Sequence, residues 1–270
     1  MRRLLIRPGA IGDCILSLPA LQHLGADFTE IWIPSAVVPL IRFADAVRPL
    51  ASTGIDLVGV GDLTMSPRLK SRLQSFDSIN SWYGTNRPEF RNVLESLGVE
   101  CHFYPALPAK NTSEHVTDFF TQQVGAPEGL VPHIAVERSA PRDAIVIHPF
   151  SGSSLKNWPL NSYRELAAQL RLPIEWTAGP EQELSEAIRF TSLAELGSWI
   201  RGATLYIGND SGITHLAAAV GVPTLALFGS SSPPNWAPRG DNVTVLHSTS
   251  LETLDVQTVL RAINRLLDSL

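Results

Sequence analysis

Two short apolar runs, each stopped by a proline-containing loop and each followed by a helical pattern, constrain the fold more than anything else in this chain. Leu4-Leu5-Ile6 stops at Arg7-Pro8-Gly9, and Ile145-Val146-Ile147 stops at His148-Pro149. After the second run, Asn161 offers a cap, and Tyr163, Leu166, Ala167 and Leu170 recur at helical spacing through 161–170. Apolar strand, loop, helix is the opening of an α/β unit with parallel strands. The same opening near residue 1 and near residue 144 predicts two α/β domains in tandem. A length of 270 residues suits that count. Pro127, Pro132 and Pro141 and a scarcity of apolar runs place the linker within Gly125–Asp143. The expected domains are 1–130 and 143–270, joined by 131–142, with the terminal helix a candidate to pack back on the first.

The second half reads further. Ile174–Ala178, Leu205–Ile207, Thr224–Phe228 and Val243–Leu246 are predicted strands. Glu181–Ile188, with acidic residues in its first turn, Leu193–Ile200, Thr214–Val220 and an amphipathic Leu254–Leu270 are predicted helices. In the first half, Ile31–Ile33 and Ile55–Val60 look like strands, and Ser66–Leu73 and Phe90–Leu97 like helices.

Composition excludes several classes. Apolar residues are 44% and charged residues 17%, so the chain is globular rather than disordered. The 21 basic and 26 acidic residues divide as 11 and 13 over residues 1–135 and 10 and 13 over 136–270. Neither half is a polycation, which argues against nucleic acid as a partner. Two cysteines, Cys14 and Cys101, make no disulfide framework. The longest apolar stretch, Leu216–Gly229, has 14 residues and holds Pro223, too short to span a bilayer. The start, Met-Arg-Arg-Leu-Leu-Ile-Arg-Pro, is short for a signal peptide. The expectation is a soluble, cytoplasmic protein.

Three segments can carry chemistry. Gly9-Ala10-Ile11-Gly12-Asp13 follows the first strand. Gly9 and Gly12 let the backbone turn tightly, and Asp13 opens a helix at the carboxyl edge of the sheet, where open α/β folds bind ligands. Asp13 as a plain helix cap is the alternative; Pro19 is expected to kink that helix. Asp210-Ser211-Gly212-Ile213-Thr214-His215 follows a strand, and Asp210 or Ser211 can cap the next helix. The free N–H groups and the positive helix end would then suit a phosphate, and Gly212 would let a diphosphate approach. His215 is either on that site's face or an ordinary core histidine. His148 to Pro159 is a loop with Ser151, Ser153 and Ser154, and it holds Lys156, one of three lysines in the chain. Lys156 could meet a phosphate or be a solvated loop residue. Trp158-Pro159 would anchor the loop. The densest basic cluster is Arg68, Lys70 and Arg72; it is either a solvated face or a capture site for an acidic acceptor.

Other chemistries lack their patterns. No third glycine completes a dinucleotide fingerprint at Gly59-Val60-Gly61, and no P-loop occurs. The serine in Gly208–Gly212 is misplaced for a nucleophile elbow. The seven histidines show no metal-ligand spacing, so no metal and no cofactor are expected.

Together, Arg7 to Leu24, Ile147 to Leu170 and Tyr206 to Pro238 resemble glycosyltransferase family 9, the ADP-heptose–lipopolysaccharide heptosyltransferases. The resemblance implies a GT-B architecture, two Rossmann-like domains facing across a cleft, acceptor on the first and nucleotide sugar on the second. It implies inverting, metal-independent transfer of a heptose-like sugar, ADP-heptose foremost, to a lipopolysaccharide-core or other glycan acceptor. By position, Asp13 matches the family's general base and Lys156 its donor-phosphate lysine. Asp210, Ser211, Gly212 and His215 match its donor motif, and Glu181 a carboxylate that holds the ribose. Gly12, Ser153 and Ser154 complete the expected substrate contacts. A lipid-linked acceptor implies peripheral contact with the cytoplasmic face of the inner membrane. The alternatives are a nucleotide-sugar-binding GT-B protein without transfer, or a GT-B-fold sugar epimerase.

Overall fold

The computed structural model describes all residues except 62–63, 110–111, 138 and 269–270. The last two residues of the expected terminal helix therefore lie outside the described residues. The chain divides into two compact units, Met1–Thr112 with Val116–Leu130, and Ser113–His115 with Val131–Leu270.

The first unit runs β1 (Arg2–Ile6), α1 (Ile11–Leu16), α2 (Leu18–His23), β2 (Phe28–Ile33), β3 (Ala46–Pro49), α3 (Pro67–Leu73), β4 (Ser78–Ser81), α4 (Pro88–Glu95), β5 (Glu100–Phe103) and α5 (Val116–Gln123). Its five strands are parallel in the order β3-β2-β1-β4-β5. Leu4, Leu5 and Ile6 are fully buried, as a central strand of a parallel sheet must be when helices cover both faces. The order changes direction between β1 and β4, so the loops that leave these two strands part there and open a crevice.

Pro19 does more than kink its helix. The helix breaks at Ser17, and α2 restarts with Pro19 in its first turn, where the missing N–H costs nothing. Ile55–Val60 is not a strand. Gly54 and Gly59 both have positive φ (75° and 69°), and between them Ile55–Leu57 forms one 3₁₀ turn. A Cβ on Gly59 would lie 2.7 Å from the Phe90 nitrogen, so the close approach of α4 requires glycine there.

The second unit runs β6 (Arg142–His148), α6 (Leu160–Ala167), β7 (Ile174–Trp176), α7 (Leu193–Arg201), β8 (Ala203–Asn209), α8 (Gly212–Val220), β9 (Thr224–Phe228), α9 (Pro233–Trp236), β10 (Val243–His247) and α10 (Val256–Asp268). Its sheet is also parallel, in the order β10-β9-β8-β6-β7. Here the direction changes between β6 and β8, which are hydrogen-bonded neighbours. The loops that follow them border the crevice that such a switch point opens.

Two expectations are corrected in this unit. Asn161 does not cap α6; the cap position is Pro159, and Asn161 lies inside the first turn. Glu181–Ile188 is not helical. The Arg189 guanidinium donates to the carbonyls of Gln182 (2.7 Å) and Leu184 (3.1 Å), which a helix would have used itself, and Thr177 and Ile188 form a parallel bridge beyond β7. The apolar face of α10 is taken up within its own unit. Val259 and Ile263 are fully buried in a cluster with Ile147, Tyr163, Leu166 and Leu227, and α10 packs on α6 and β10. Residues 131–142 are also bound into this unit: Ile134 N–H donates to the Ala219 carbonyl at 2.9 Å. Among the described residues, no helix is long and apolar enough to cross a membrane.

Candidate active site

In the first unit the loop after β1 is built around a buried arginine. Arg7 is 1% exposed, and burial pulls its guanidinium below its ordinary pKa. It is tolerated because its donors are taken: Nε by Ser17 Oγ (3.0 Å), Nη1 by the Pro8 carbonyl (2.7 Å) and Nη2 by the Asp13 carbonyl (3.0 Å). The guanidinium also lies 4.4 Å from the Phe120 ring centre. One side chain thus ties the loop to the broken helix behind it. Gly9 takes φ = 128°, and a Cβ there would sit 3.1 Å from that of Asp13. Gly12, expected to share in that turn, lies in α1 instead; Gly9 alone makes the bend.

Asp13 is not the N-cap. It is the third residue of α1, and its Oδ2 accepts from the Ala10 N–H at 3.1 Å. This is the backward half of a capping box. It orients the carboxylate beside the loop and leaves Oδ1 without a hydrogen bond among the described residues. Burial pushes the neighbouring Cys14 thiol up to about 12, so it stays protonated and unreactive.

In the second unit the two switch-point loops meet. The loop after β6 turns twice: Ser151 Oγ donates to the Ser153 carbonyl (2.7 Å), and Ser154–Lys156 forms a single 3₁₀ turn. That turn sends Lys156 to the loop after β8, where Nζ donates to Asp210 Oδ2 at 2.7 Å. His215 Nε2 stands 4.0 Å from Asp210 Oδ1. Ser211 is the N-cap of α8, its Oγ accepting from Thr214 N–H at 3.3 Å. The rest of α8 is buried, so its axis is fixed. The N–H groups of Gly212 and Ile213 have no acceptor among the described residues. A fixed positive helix end with two open N–H donors and an adjacent ammonium group can hold a diphosphate.

Asn209, which sequence reading passed over, locks this arrangement. It is fully buried. Its Oδ1 accepts from Trp158 N–H (3.0 Å) and Tyr163 O–H (2.9 Å), and its Nδ2 donates to the Pro149 carbonyl (2.8 Å). Trp158 anchors the loop as expected: it is 1% exposed, and Nε1 donates to the Leu254 carbonyl at 3.0 Å. A polar residue at the end of an apolar strand, directly before Asp210-Ser211-Gly212, was the available signal. His148, at the end of β6, donates from Nδ1 to the Thr177 carbonyl (3.0 Å), and burial pushes its pKa down to about 4.

The structure therefore brings Lys156, Asp210, Ser211, Gly212 and His215 together, with Ser153 and Ser154 in the turns that carry Lys156. Glu181 stands apart from them. It is exposed on the turn after β7, and no hydrogen bond among the described residues ties it to the cluster. Nor is any group of three or more His, Cys, Asp or Glu side chains placed to hold a metal ion among the described residues.

Comparison with known proteins agrees with the two-sheet α/β fold. A family model described as Glycosyltransferase family 9 (heptosyltransferase) matches residues 107–262. Lipopolysaccharide heptosyltransferase 1 of Pseudomonas aeruginosa is 26% identical over 294 aligned positions, which cover 86% of this chain and 80% of that protein. Among solved structures, Escherichia coli ADP-heptose LPS heptosyltransferase II has a TM-score of 0.76 at 18% identity, covering 100% of this chain and 99% of that one. The E. coli heptosyltransferase WaaC with ADP has a TM-score of 0.69 at 16% identity, covering 98% and 100%. At these identities the structures speak for the fold, which is GT-B. With more than half of its length matched by the family model, the chain belongs to glycosyltransferase family 9 and is a glycosyltransferase.

Proposed function

We propose that the chain transfers a heptose-like sugar, from ADP-heptose in the first instance, to a lipopolysaccharide-core or other glycan acceptor, with inversion and without a metal. The observation that carries the reading is the Lys156–Asp210 pair at the amino end of α8, where the two central loops of the second sheet meet. A departing nucleoside diphosphate gains negative charge as the glycosidic bond breaks. Lys156 and the Gly212 and Ile213 N–H groups are donors already aimed at one place, which is how such charge is stabilised without reorganisation. Asp210 holds the ammonium group in position before the donor arrives. Asp13 is the proposed base: a carboxylate held by Ala10 N–H takes the proton of the acceptor hydroxyl as the new bond forms. Ser153, Ser154, Gly12 and His215 are proposed as substrate contacts, and Glu181 as a ribose contact made only with donor bound.

The choice of ADP and of a lipopolysaccharide acceptor is supported by the names of the relatives, one of which is a lipopolysaccharide heptosyltransferase and another a heptosyltransferase with ADP. A lipid-linked acceptor would put the enzyme in the cytoplasm, in peripheral contact with the inner membrane. The test is transfer itself. Purified chain is incubated with ADP-heptose and a core-truncated lipopolysaccharide, with GDP- and UDP-sugars in parallel. The expected result is ADP release matched by an acceptor heavier by one heptose. No mass gain with any donor would end this reading.

A further inference from the structure

Glu30 is fully buried on β2. A buried carboxylate survives only when its lone pairs are filled, and here they are filled by two cations. Trp32 Nε1 (2.7 Å), Arg48 Nε (2.9 Å) and Arg72 Nε (3.1 Å) donate to Oε1, and Arg72 Nη2 donates to Oε2. The Arg48 and Arg72 side chains nevertheless stay 45% and 36% exposed. With Arg68 they line a cavity of about 460 Å³ in the first unit, together with Trp32, Ser66 and Ser71. Arg68 makes no ion pair or hydrogen bond among the described residues. Three guanidinium charges against one carboxylate leave two positive charges over the cavity. Each guanidinium has five N–H groups. Arg48 spends one on Glu30 and Arg72 spends two, so most of the donors remain for a ligand. Lys70, grouped with Arg68 and Arg72 by sequence, does not line the cavity; two residues from each of them on α3, it faces another way.

We propose that this cavity is a binding site for a phosphomonoester group. Its two surplus charges match a dianion, and forked guanidinium donors match phosphate oxygens in pairs. Glu30 fixes two of the guanidinium planes in advance, so a ligand bears little of the cost of ordering them. The volume accepts a phosphorylated sugar. β3, which carries Arg48, is the edge strand, two positions from β1, or about 10 Å by strand spacing. From there the cavity extends to Trp32 on β2, the strand next to β1. The phosphate could belong to a phosphorylated glycan or to a free phosphorylated metabolite.

The test is calorimetric titration of the full chain with inorganic phosphate, with glucose 6-phosphate and with glucose. Both phosphates are expected to bind and glucose is not. Arg68→Gln and Arg48→Gln are each expected to weaken phosphate at least about tenfold. Arg68→Gln removes no observed contact, and an unchanged thermal melt will show that its fold is intact. Glucose 6-phosphate bound more tightly than inorganic phosphate assigns the site to a phosphorylated sugar; equal affinity assigns it to free phosphate. If neither phosphate binds better than glucose, or if binding survives both substitutions, there is no such site. No sugar transfer is measured, so either outcome leaves the transferase reading where it stood.

Discussion

Asp13 and Lys156 divide the proposed chemistry between them. Asp13→Asn keeps an oxygen that can accept from Ala10 N–H, so α1 and donor affinity are expected to be unchanged. The base is gone, and kcat should fall by about 10² to 10⁴. Steady-state turnover checks this, and near-normal kcat would release Asp13 from the mechanism. Lys156→Ala removes the ammonium group that Asp210 holds. Affinity for ADP should drop at least about tenfold, as for a lost charged hydrogen bond; unchanged affinity would make Lys156 a partner of Asp210 and nothing more. His148 governs stability rather than transfer. The unfolded imidazole takes up a proton near pH 6.5, whereas burial holds the folded one neutral down to about 4. Between those values the unfolded state binds more protons, so stability falls as pH falls, by up to about 3 kcal/mol at the acid end. Urea midpoints of wild type and His148→Asn should converge across that window. Parallel pH profiles would show that another group is responsible. Lys156 and Asp13 could be proposed from the sequence because their residue types sit after strands. The buried roles of Arg7, Asn209 and Glu30 could not, since burial depends on residues far away in the chain.

At the level of elements, Asn209 matters as a clamp between β8 and the loop that carries Lys156. Asn209→Ala leaves Trp158 N–H and Tyr163 O–H without their acceptor and the Pro149 carbonyl without its donor. Each costs about 1–3 kcal/mol, so a loss of at least about 3 kcal/mol is expected by urea denaturation. A smaller loss would mean that the loop is held by Trp158 packing alone. The strands of the second unit were legible because parallel strands covered on both faces are almost continuously apolar, as in Ile145–Ile147 and Thr224–Phe228. β4 was not legible. Ser78, Ile79, Asn80 and Ser81 are all buried, but their polar groups find partners such as Arg3 Nε and Tyr104 O–H only in the folded unit. Glu181–Ile188 misled for the converse reason. Its composition suits a short helix, which is marginal by itself, and Arg189 competes for its carbonyls.

For the whole molecule, the proposed reaction predicts transfer that needs no divalent ion, because it assigns the donor charge to Lys156 and the end of α8. Activity measured after exhaustive treatment with EDTA should be unchanged. Activity lost to the chelator and restored by magnesium would assign that charge to a metal. Two α/β units of parallel strands were determined by the sequence alone, through the recurrence of apolar run, loop and helix. The family was also readable, because Asp210-Ser211-Gly212 through His215 is a local pattern that rests on one strand and one helix. Tertiary structure decided what depends on distant partners. It set the strand order, and so placed the β6 and β8 loops together with Lys156 on Asp210. It also brought Arg48 of β3 and Arg72 of α3 onto Glu30 of β2, with Arg68 beside them at the cavity. Local pattern records which residues prefer a strand, helix or turn, but pairing energies between strands are shared by many candidate orders. Only the packed core, where every buried polar group must find its partner, selects one.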